Sequence, residues 1–356
     1  MSFNETIFIT GFPGFIALKL VRRLGRRDAR FFLLAQPEFV EKARRDIEMI
    51  GAETGVPLEN FAIIEGDITR ENLGIDEADL ETVRAETTDV FHLAAVYDLG
   101  VAKNLAFSVN VEGTRKVNEL VKSFPNLRRY NYVSTCYVAG RRTGEILETE
   151  LEHVKGFRNY YEETKYLAET EVEHLKEKIP TTIFRPSVVV GDSRTGETQK
   201  YDGIYSLILY LRKAPALLRF VNVGNDHVRL NLVPVDFVVE AIAALSKDKN
   251  AVGKTVALAD PNPLTTAELF DAIAENLTGK KSIVKPPEKL IEKSLMLPIS
   301  PPLSGLPFPA VPYFFVPQTY DTRVADEILS KHDIHCPNFK SYVENLLQFV
   351  EKNPKL

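Results

Sequence analysis

Apolar residues in the first 190 positions fall into short unbroken runs, separated by longer stretches in which they recur every three or four places. The short runs are Thr6–Thr10 (TIFIT), Arg30–Leu34 (RFFLL), Phe61–Glu65 (FAIIE), Asp89–Leu93 (DVFHL), Arg129–Val133 (RYNYV) and Thr181–Phe184 (TTIF). Each reads as a strand covered on both faces. Phe15–Leu24, Glu38–Ile50 and stretches near 109–123 and 161–178 carry helical spacing. Buried strands alternating with amphipathic helices predict an α/β fold, a doubly wound parallel sheet of the Rossmann type with a smaller mixed region attached.

Beyond Val190 the alternation loosens. Gly191–Asp202 is polar and loop-like, and Gly203–Lys213 reads as a helix. Arg229–Val235 (RLNLVPV) reads as a strand returning towards the first sheet, with a helix over Asp236–Leu245 behind it. A hydroxyl of Thr265 or Thr266 can satisfy the free N–H groups of a helix running to Leu277. Phe339–Lys352 closes the chain as an amphipathic helix. Ser294–Tyr320 holds no charge but seven prolines, which no regular helix tolerates. It reads either as an irregular connection packed over the core or as an apolar wall or lid over a lipophilic ligand, with shallow membrane contact a third reading.

With 356 residues, 44% hydrophobic and 26% charged, the chain can bury a sizeable core without disulfide or metal staples. A net charge of −5 and a pI of about 5.8 argue against a nucleic-acid binder. The pairs Arg22-Arg23, Arg26-Arg27, Arg44-Arg45 and Arg141-Arg142 are too short and interrupted to make a basic face. Cys136 and Cys336 lie far apart and suit a reducing compartment. The N-terminus has no basic segment leading into an apolar run, and no apolar stretch reaches the ~18 residues of a spanning helix. The expectation is a soluble, cytoplasmic protein without stable membrane insertion. His332, His335 and Cys336 crowd together, yet no second ligand pair lies at metal spacing, so no metal is expected. His92 reads as a satisfied buried histidine and Cys136 as a small packing residue.

The first strand runs into Thr10-Gly11-Phe12-Pro13-Gly14-Phe15-Ile16-Ala17, which opens the first helix. Glycines there let backbone approach a pyrophosphate, and the helix start offers free N–H groups and a positive dipole end. Ala17 replaces the third glycine of the dinucleotide-binding fingerprint, which that pattern tolerates. The second strand ends Leu34-Ala35-Gln36-Pro37 without the carboxylate that would bind NAD ribose hydroxyls, while Lys19, Lys42 and Arg44 lie nearby. NADP is therefore the expected cofactor and NAD the alternative. Asp67-Ile68 follows the third strand, where Asp67 can meet the adenine amino group. Ala94-Ala95 follows the fourth with the small side chains a backbone against a cofactor requires.

Tyr161 and Lys165 stand four residues apart, hence on one helix face. A phenol titrates near pH ~10, and a neighbouring ammonium brings it towards neutrality by stabilising phenolate. Lys165 can also hold the nicotinamide ribose. Ser134-Thr135 ends a strand at the carboxyl edge where doubly wound proteins bind ligands. A hydroxyl there can donate to a carbonyl oxygen as charge develops on it.

The motifs TGFPGFIA, GDIT, HLAA, NVEGT, YVSTCYVAG, YEETK and RPSVVVGDS occur in an order and spacing that resemble the extended short-chain dehydrogenase/reductases, from Met1 to about Val190 and more loosely to the end. The resemblance implies that Tyr161 is the acid/base, Lys165 its helper and Thr135, rather than Ser134, the catalytic hydroxyl. It also implies that Asn110, Pro186 and Ser187 touch cofactor or order the site. GDITRENLGI and NVEGTRKV look like the male-sterility-like branch, with its fatty acyl and carrier-bound thioester reductases. That branch carries an arginine after the second strand; Gln36 stands there instead.

The expected organisation is a dinucleotide-binding domain over 1–190 plus about 229–258, with 191–228 and 259–356 covering the substrate. The expected activity is NAD(P)H-dependent reduction of a carbonyl on a largely apolar small molecule, an acyl thioester, aldehyde or ketone, free or carrier-bound. The alternatives are an NAD-dependent sugar-nucleotide epimerase or dehydratase, and a non-catalytic dinucleotide-binding protein. A homodimer through the Tyr161 helix is the family's implication.

Overall fold

The computed structural model describes residues 3–213, 220–297 and 308–354. In chain order its strands are β1 (Glu5–Thr10), β2 (Ala29–Ala35), β3 (Phe61–Glu65), β4 (Asp89–His92), β5 (Arg129–Val133), β6 (Gly144–Ile146), β7 (Thr181–Pro186), β8 (Val188–Val190), β9 (Leu232–Pro234), β10 (Thr255–Leu258) and β11 (Gln318–Tyr320). Seven form one sheet in the order β10-β7-β5-β4-β1-β2-β3, every pairing parallel. The sheet has the doubly wound form its buried strands predict.

Side chains alternate across this sheet and fill two separate cores. On one face Ile7 and Ile9 of β1 and Phe31 and Leu33 of β2 pack with α1 (Phe15–Leu24), α2 (Val40–Thr54) and the later helix Val235–Leu245. On the other, Phe8, Phe32 and Leu34 meet Leu80 and Val83 of the helix Glu77–Glu86, Val117 and Val121 of Thr114–Lys122, and Ala168 and Val172 of Tyr160–Glu173. Phe8 and Phe32 are essentially sealed from solvent, and cutting either to alanine would cost about 3–5 kcal/mol.

A third core joins the helices Ile204–Lys213, Thr266–Thr278 and Val343–Lys352. Thr265 caps the middle one reciprocally with Glu268, as the paired threonines suggest. The 109–123 stretch splits into a wide-turned segment Phe107–Gly113 and a regular helix from Thr114.

Arg229–Val235 does not return to the main sheet. Only Leu232–Pro234 is extended, and it pairs with Val188–Val190 in a small parallel sheet, because β10 already occupies the edge beside β7. A second small sheet joins β6 to β11. Among the described residues no helix is long and apolar enough to cross a membrane.

The order of the large sheet decides where a ligand can sit. The chain runs outward from β1 to β3, then re-enters on the opposite side of β1 as β4. Connections leaving the carboxyl ends of β1 and β4 diverge, which opens a crevice there.

Candidate active site

Gly11 leaves β1 with φ +85°, in the left-handed region, and a Cβ on it would lie 2.7 Å from the Ala94 nitrogen. Gly14 caps α1, and a Cβ there would meet the Gly11 carbonyl oxygen at 2.7 Å. Only glycine lets the turn and the β4 loop approach this closely. No side chain caps the start of α1, so its first N–H groups face the crevice as an anion site.

Two chambers meet at this turn. The reacting chamber, about 340 Å³, is lined by Gly11, Gly14, Phe15, Ile16, Ala94, Ala95, Thr135, Tyr161, Lys165, Pro186 and Ser187, with Tyr97 and Tyr137. The other, about 350 Å³, is lined by Pro13, Gln36, Lys42, Asp67 and Ile68, and shares Gly11, Gly14, Ala94 and Ala95. An elongated groove with bare backbone and a helix start at its waist fits a dinucleotide, with pyrophosphate at the waist. Asp67 accepts from Thr69 and from Gln36 Nε2 at 3.2 Å. Lys42 donates to the Pro13 carbonyl at 3.1 Å and to Asp46 at 2.8 Å. Lys19 is engaged by Glu197 at 2.9 Å, and Arg44 by Glu41 at 3.7 Å, so of the three cations named from sequence only Lys42 lines this chamber.

Thr10 and Asn110 stand behind the walls instead of lining them. Thr10 Oγ1 accepts the Ala94 N–H at 3.2 Å and bonds His92 Nδ1 at 2.7 Å. Asn110 Oδ1 accepts the Val96 N–H at 2.9 Å, and its amide donates to Thr164 Oγ1 at 3.0 Å. Asn110 thereby ties the β4 loop to the helix carrying Tyr161.

Tyr160–Glu173, capped by Asn159, brings Tyr161 and Lys165 to one mouth, opposite Thr135 at the end of β5. The Thr135 hydroxyl, which accepts the Tyr137 N–H at 3.2 Å, neighbours the Tyr161 phenol, and Tyr97 meets the Tyr161 ring edge-on at 5.1 Å. Burial pushes the phenol above its ordinary value, the Thr135 hydroxyl opposes that, and the Glu162 charge adds to it. The expected lowering by Lys165 is not what the geometry does. Lys165 Nζ instead donates to the Tyr132 hydroxyl and the Val133 carbonyl, each at 2.9 Å. Burial brings Lys165 down to about 7, with Glu169 pulling the other way.

Ser134 is consumed elsewhere. Its hydroxyl donates to Glu169, which Arg185 clamps at 2.8 and 2.5 Å. Of the Ser134–Thr135 pair, that leaves Thr135 with its hydroxyl towards Tyr161. Ser187 bonds Asn231 at 2.7 Å. His92 contacts two threonines and is a satisfied core residue. Cys136 is buried and free, and burial pushes its thiol well up. His332 bonds Asp248 at 2.8 Å, and His335 lies 3.6 Å from Asp333.

A further cavity of about 340 Å³ opens past Tyr97 and Tyr137, with Leu99, Ile204, Leu230, Pro309, Ala310, Tyr313 and Phe314 among its walls and Asp98, Lys200 and Asp202 at its polar side. Pro309–Phe314 therefore both packs and walls a cavity; residues 298–307 of the proline-rich stretch lie outside the described residues. Gln199 lines both dinucleotide chambers, while Lys200 and Asp202 line both the reacting chamber and this outer cavity. Tyr97, Tyr137 and the 198–202 strap were not anticipated; their sole signal was adjacency to HLAA, STC and VVVGDS.

The chain is similar to the fatty acyl-CoA reductase wat of Drosophila melanogaster, 27% identical over 281 residues, which is 69% of this chain and 54% of that protein. It thus spans about half the length of that relative. In fold it is similar to the terminal R domain from the myxalamid PKS-NRPS biosynthetic pathway, at TM-score 0.84, 23% identity, and coverage of 100% of this chain and 92% of that one. A UDP-glucuronic acid 4-epimerase from Bacillus cereus in complex with NAD shares the fold more distantly, at TM-score 0.68 and 19% identity, covering 99% of this chain and 100% of that one. The male sterility protein model matches residues 9–242. With the glycine turn, the parallel sheet and the Tyr161–Lys165 helix, this match shows that the chain belongs to the male sterility protein family of NAD(P)-binding extended short-chain dehydrogenase/reductases.

Proposed function

We propose that the protein is an NAD(P)H-dependent reductase of a carbonyl group on a largely apolar substrate, an acyl thioester foremost, with aldehydes and ketones as further candidates. The observation that carries this reading is the meeting of Thr135, Tyr161 and Lys165 at the point where a dinucleotide-shaped groove opens into an apolar-walled cavity. In this reading residues 1–190 with 229–258 hold the dinucleotide, and 191–228 with 259–356 cover the substrate. NADP is the cofactor, since Lys42 and Gln36, with no acidic partner for a ribose hydroxyl at the end of β2, line the chamber a 2′-phosphate would enter.

A reduced nicotinamide nucleotide held along Gly11, Gly14, Ala94 and Ala95 would supply the hydride for the carbonyl carbon. Thr135 and Tyr161 hold the carbonyl oxygen by hydrogen bonds, and as charge develops there Tyr161 gives up its hydroxyl proton to it. Burial keeps the phenol protonated, so the donor is loaded at neutral pH. Lys165, with one N–H left after Tyr132 and Val133, serves the ribose. Pro309, Ala310 and Phe314 keep water from the substrate's apolar part.

The test follows NADPH and NADH fluorescence across acyl thioesters, aldehydes, steroids and nucleotide sugars. NADPH consumption with acyl thioesters is expected. Turnover of a nucleotide sugar by protein that retains NAD would replace this reading with the epimerase one.

A further inference from the structure

A buried ammonium needs acceptors for its N–H groups. Two of Lys165's three go to the Tyr132 hydroxyl and the Val133 carbonyl. Tyr132, on β5, is 1% exposed and lines neither chamber. Its hydroxyl neighbours Thr114, whose side chain favours the ionised phenol. Thr114 Oγ1 lies 3.1 Å from His92 Nε2, and His92 Nδ1 lies 2.7 Å from Thr10 Oγ1. Thr10 in turn accepts the Ala94 N–H. All of these side chains are buried, so a line of polar groups runs from the ammonium to the wall of the glycine turn.

Its direction is set at the lysine end. An ammonium only donates, so Tyr132 accepts from it and turns its own proton towards Thr114. Thr114 then donates to His92 Nε2, the ring hydrogen sits on Nδ1, and Thr10 Oγ1 accepts from both His92 and Ala94. Burial holds His92 down at about 3, with the Lys165 charge adding to the effect, so the ring is neutral and cannot donate at both ends. A neutral Lys165 could accept from Tyr132, and the donor order would be free to reverse.

We propose that Tyr132 is a positioning residue that holds the Lys165 ammonium over the reacting chamber and, through Thr114, His92 and Thr10, couples the charge of Lys165 to the Ala94 wall against which the dinucleotide lies. This rests on the cofactor reading above. Lys165 is faced by Tyr161 and Glu169 from its own helix, by Tyr132 from β5 and by His92 from β4; Glu169 is clamped by Arg185 of β7. Among the described residues, Tyr132 is the one side chain whose hydrogen bond to the ammonium is resolved. Removing its hydroxyl withdraws support from the charged form and lowers the pH at which Lys165 deprotonates.

The experiment titrates NADPH affinity by fluorescence from about pH 6 to 9 in the full chain and in Tyr132→Phe, and reads the His92 tautomer by ¹⁵N NMR in both and in Thr114→Val. In the parent protein affinity weakens as Lys165 loses its charge. In Tyr132→Phe the midpoint is expected to fall by about one pH unit. In Thr114→Val the His92 tautomer becomes mixed. An unshifted midpoint in folded Tyr132→Phe overturns the positioning role, and an unchanged tautomer in Thr114→Val overturns the coupling. If Tyr132→Phe does not fold, Thr114→Val decides. Parent protein that binds neither NADPH nor NADH at any pH overturns the cofactor reading itself, an outcome distinct from normal binding with an unshifted midpoint.

Discussion

The Tyr313 hydroxyl donates to Glu162 Oε1 at 2.6 Å and fastens the apolar 308–314 segment to the first turn of the helix carrying Tyr161. Glu162 is fully buried and also accepts from Arg158, at 2.8 Å from its backbone and 3.1 Å from its guanidinium. Tyr313→Phe leaves that carboxylate one donor short, at a cost of about 1–3 kcal/mol. The ring stays against Tyr137, 4.6 Å away. A lower Tm is expected in thermal unfolding, with KM for acyl substrates rising more than kcat falls in steady-state kinetics.

Tyr161→Phe removes the proposed proton donor but not the ring that shapes the chamber. Turnover should drop about 10²–10⁴-fold, while the Kd for NADPH, read by fluorescence, stays within a factor of about two. Thr135→Val should cost less, since Tyr161 still holds the oxygen. Retention of most of the rate in Tyr161→Phe contradicts the mechanism.

On the NADP reading, Lys42 is the residue that would distinguish the two cofactors. Lys42→Ala should weaken NADPH roughly tenfold, as expected for loss of one charge-assisted contact to phosphate, and leave NADH nearly unchanged. Paired titrations of the two nucleotides measure the ratio. Equal weakening places the 2′-phosphate elsewhere.

Glu148 links pH to stability. Its carboxylate accepts the N–H groups of Ala257 at 2.7 Å, Val324 at 2.5 Å and Ala325 at 3.1 Å, and so pins β10 to the helix Arg323–Leu329. Burial nonetheless raises it from 4.5 to about 7, against those bonds and with help from Asp321. Between those values the folded state holds a proton that the unfolded chain has released. The contribution is therefore full below about pH 4.5 and is lost as pH climbs through 7, on the order of 3 kcal/mol. Glu148→Gln should flatten the Tm-versus-pH curve in that window relative to the parent; parallel curves would contradict the assignment.

Six of the sheet's seven strands were legible because they are short, largely buried runs between amphipathic helices, whereas the edge strand β10 (Thr255–Leu258) was not read from sequence. Phe61–Glu65 and Arg129–Val133 have the same ends in sequence and structure. The pairing of β6 with β11 was not, for a three-residue strand carries no periodicity and its partner lies far along the chain. Arg229–Val235 shows the same limit: apolar residues announce a strand, not its neighbour. At the site, Thr135, Tyr161 and Lys165 stood out as motif residues, whereas the partner of Lys165 was hidden. Tyr132 reads as an ordinary strand aromatic until its hydroxyl is placed 2.9 Å from the ammonium.

The short strap from Thr198 to Asp202 borders all three spaces, with Gln199 over both halves of the dinucleotide groove and Lys200 and Asp202 over the passage beyond. One door thus serves two visitors. Under the proposed function, nucleotide and substrate would both lie against this strap, so a substitution in it would be felt at both spaces.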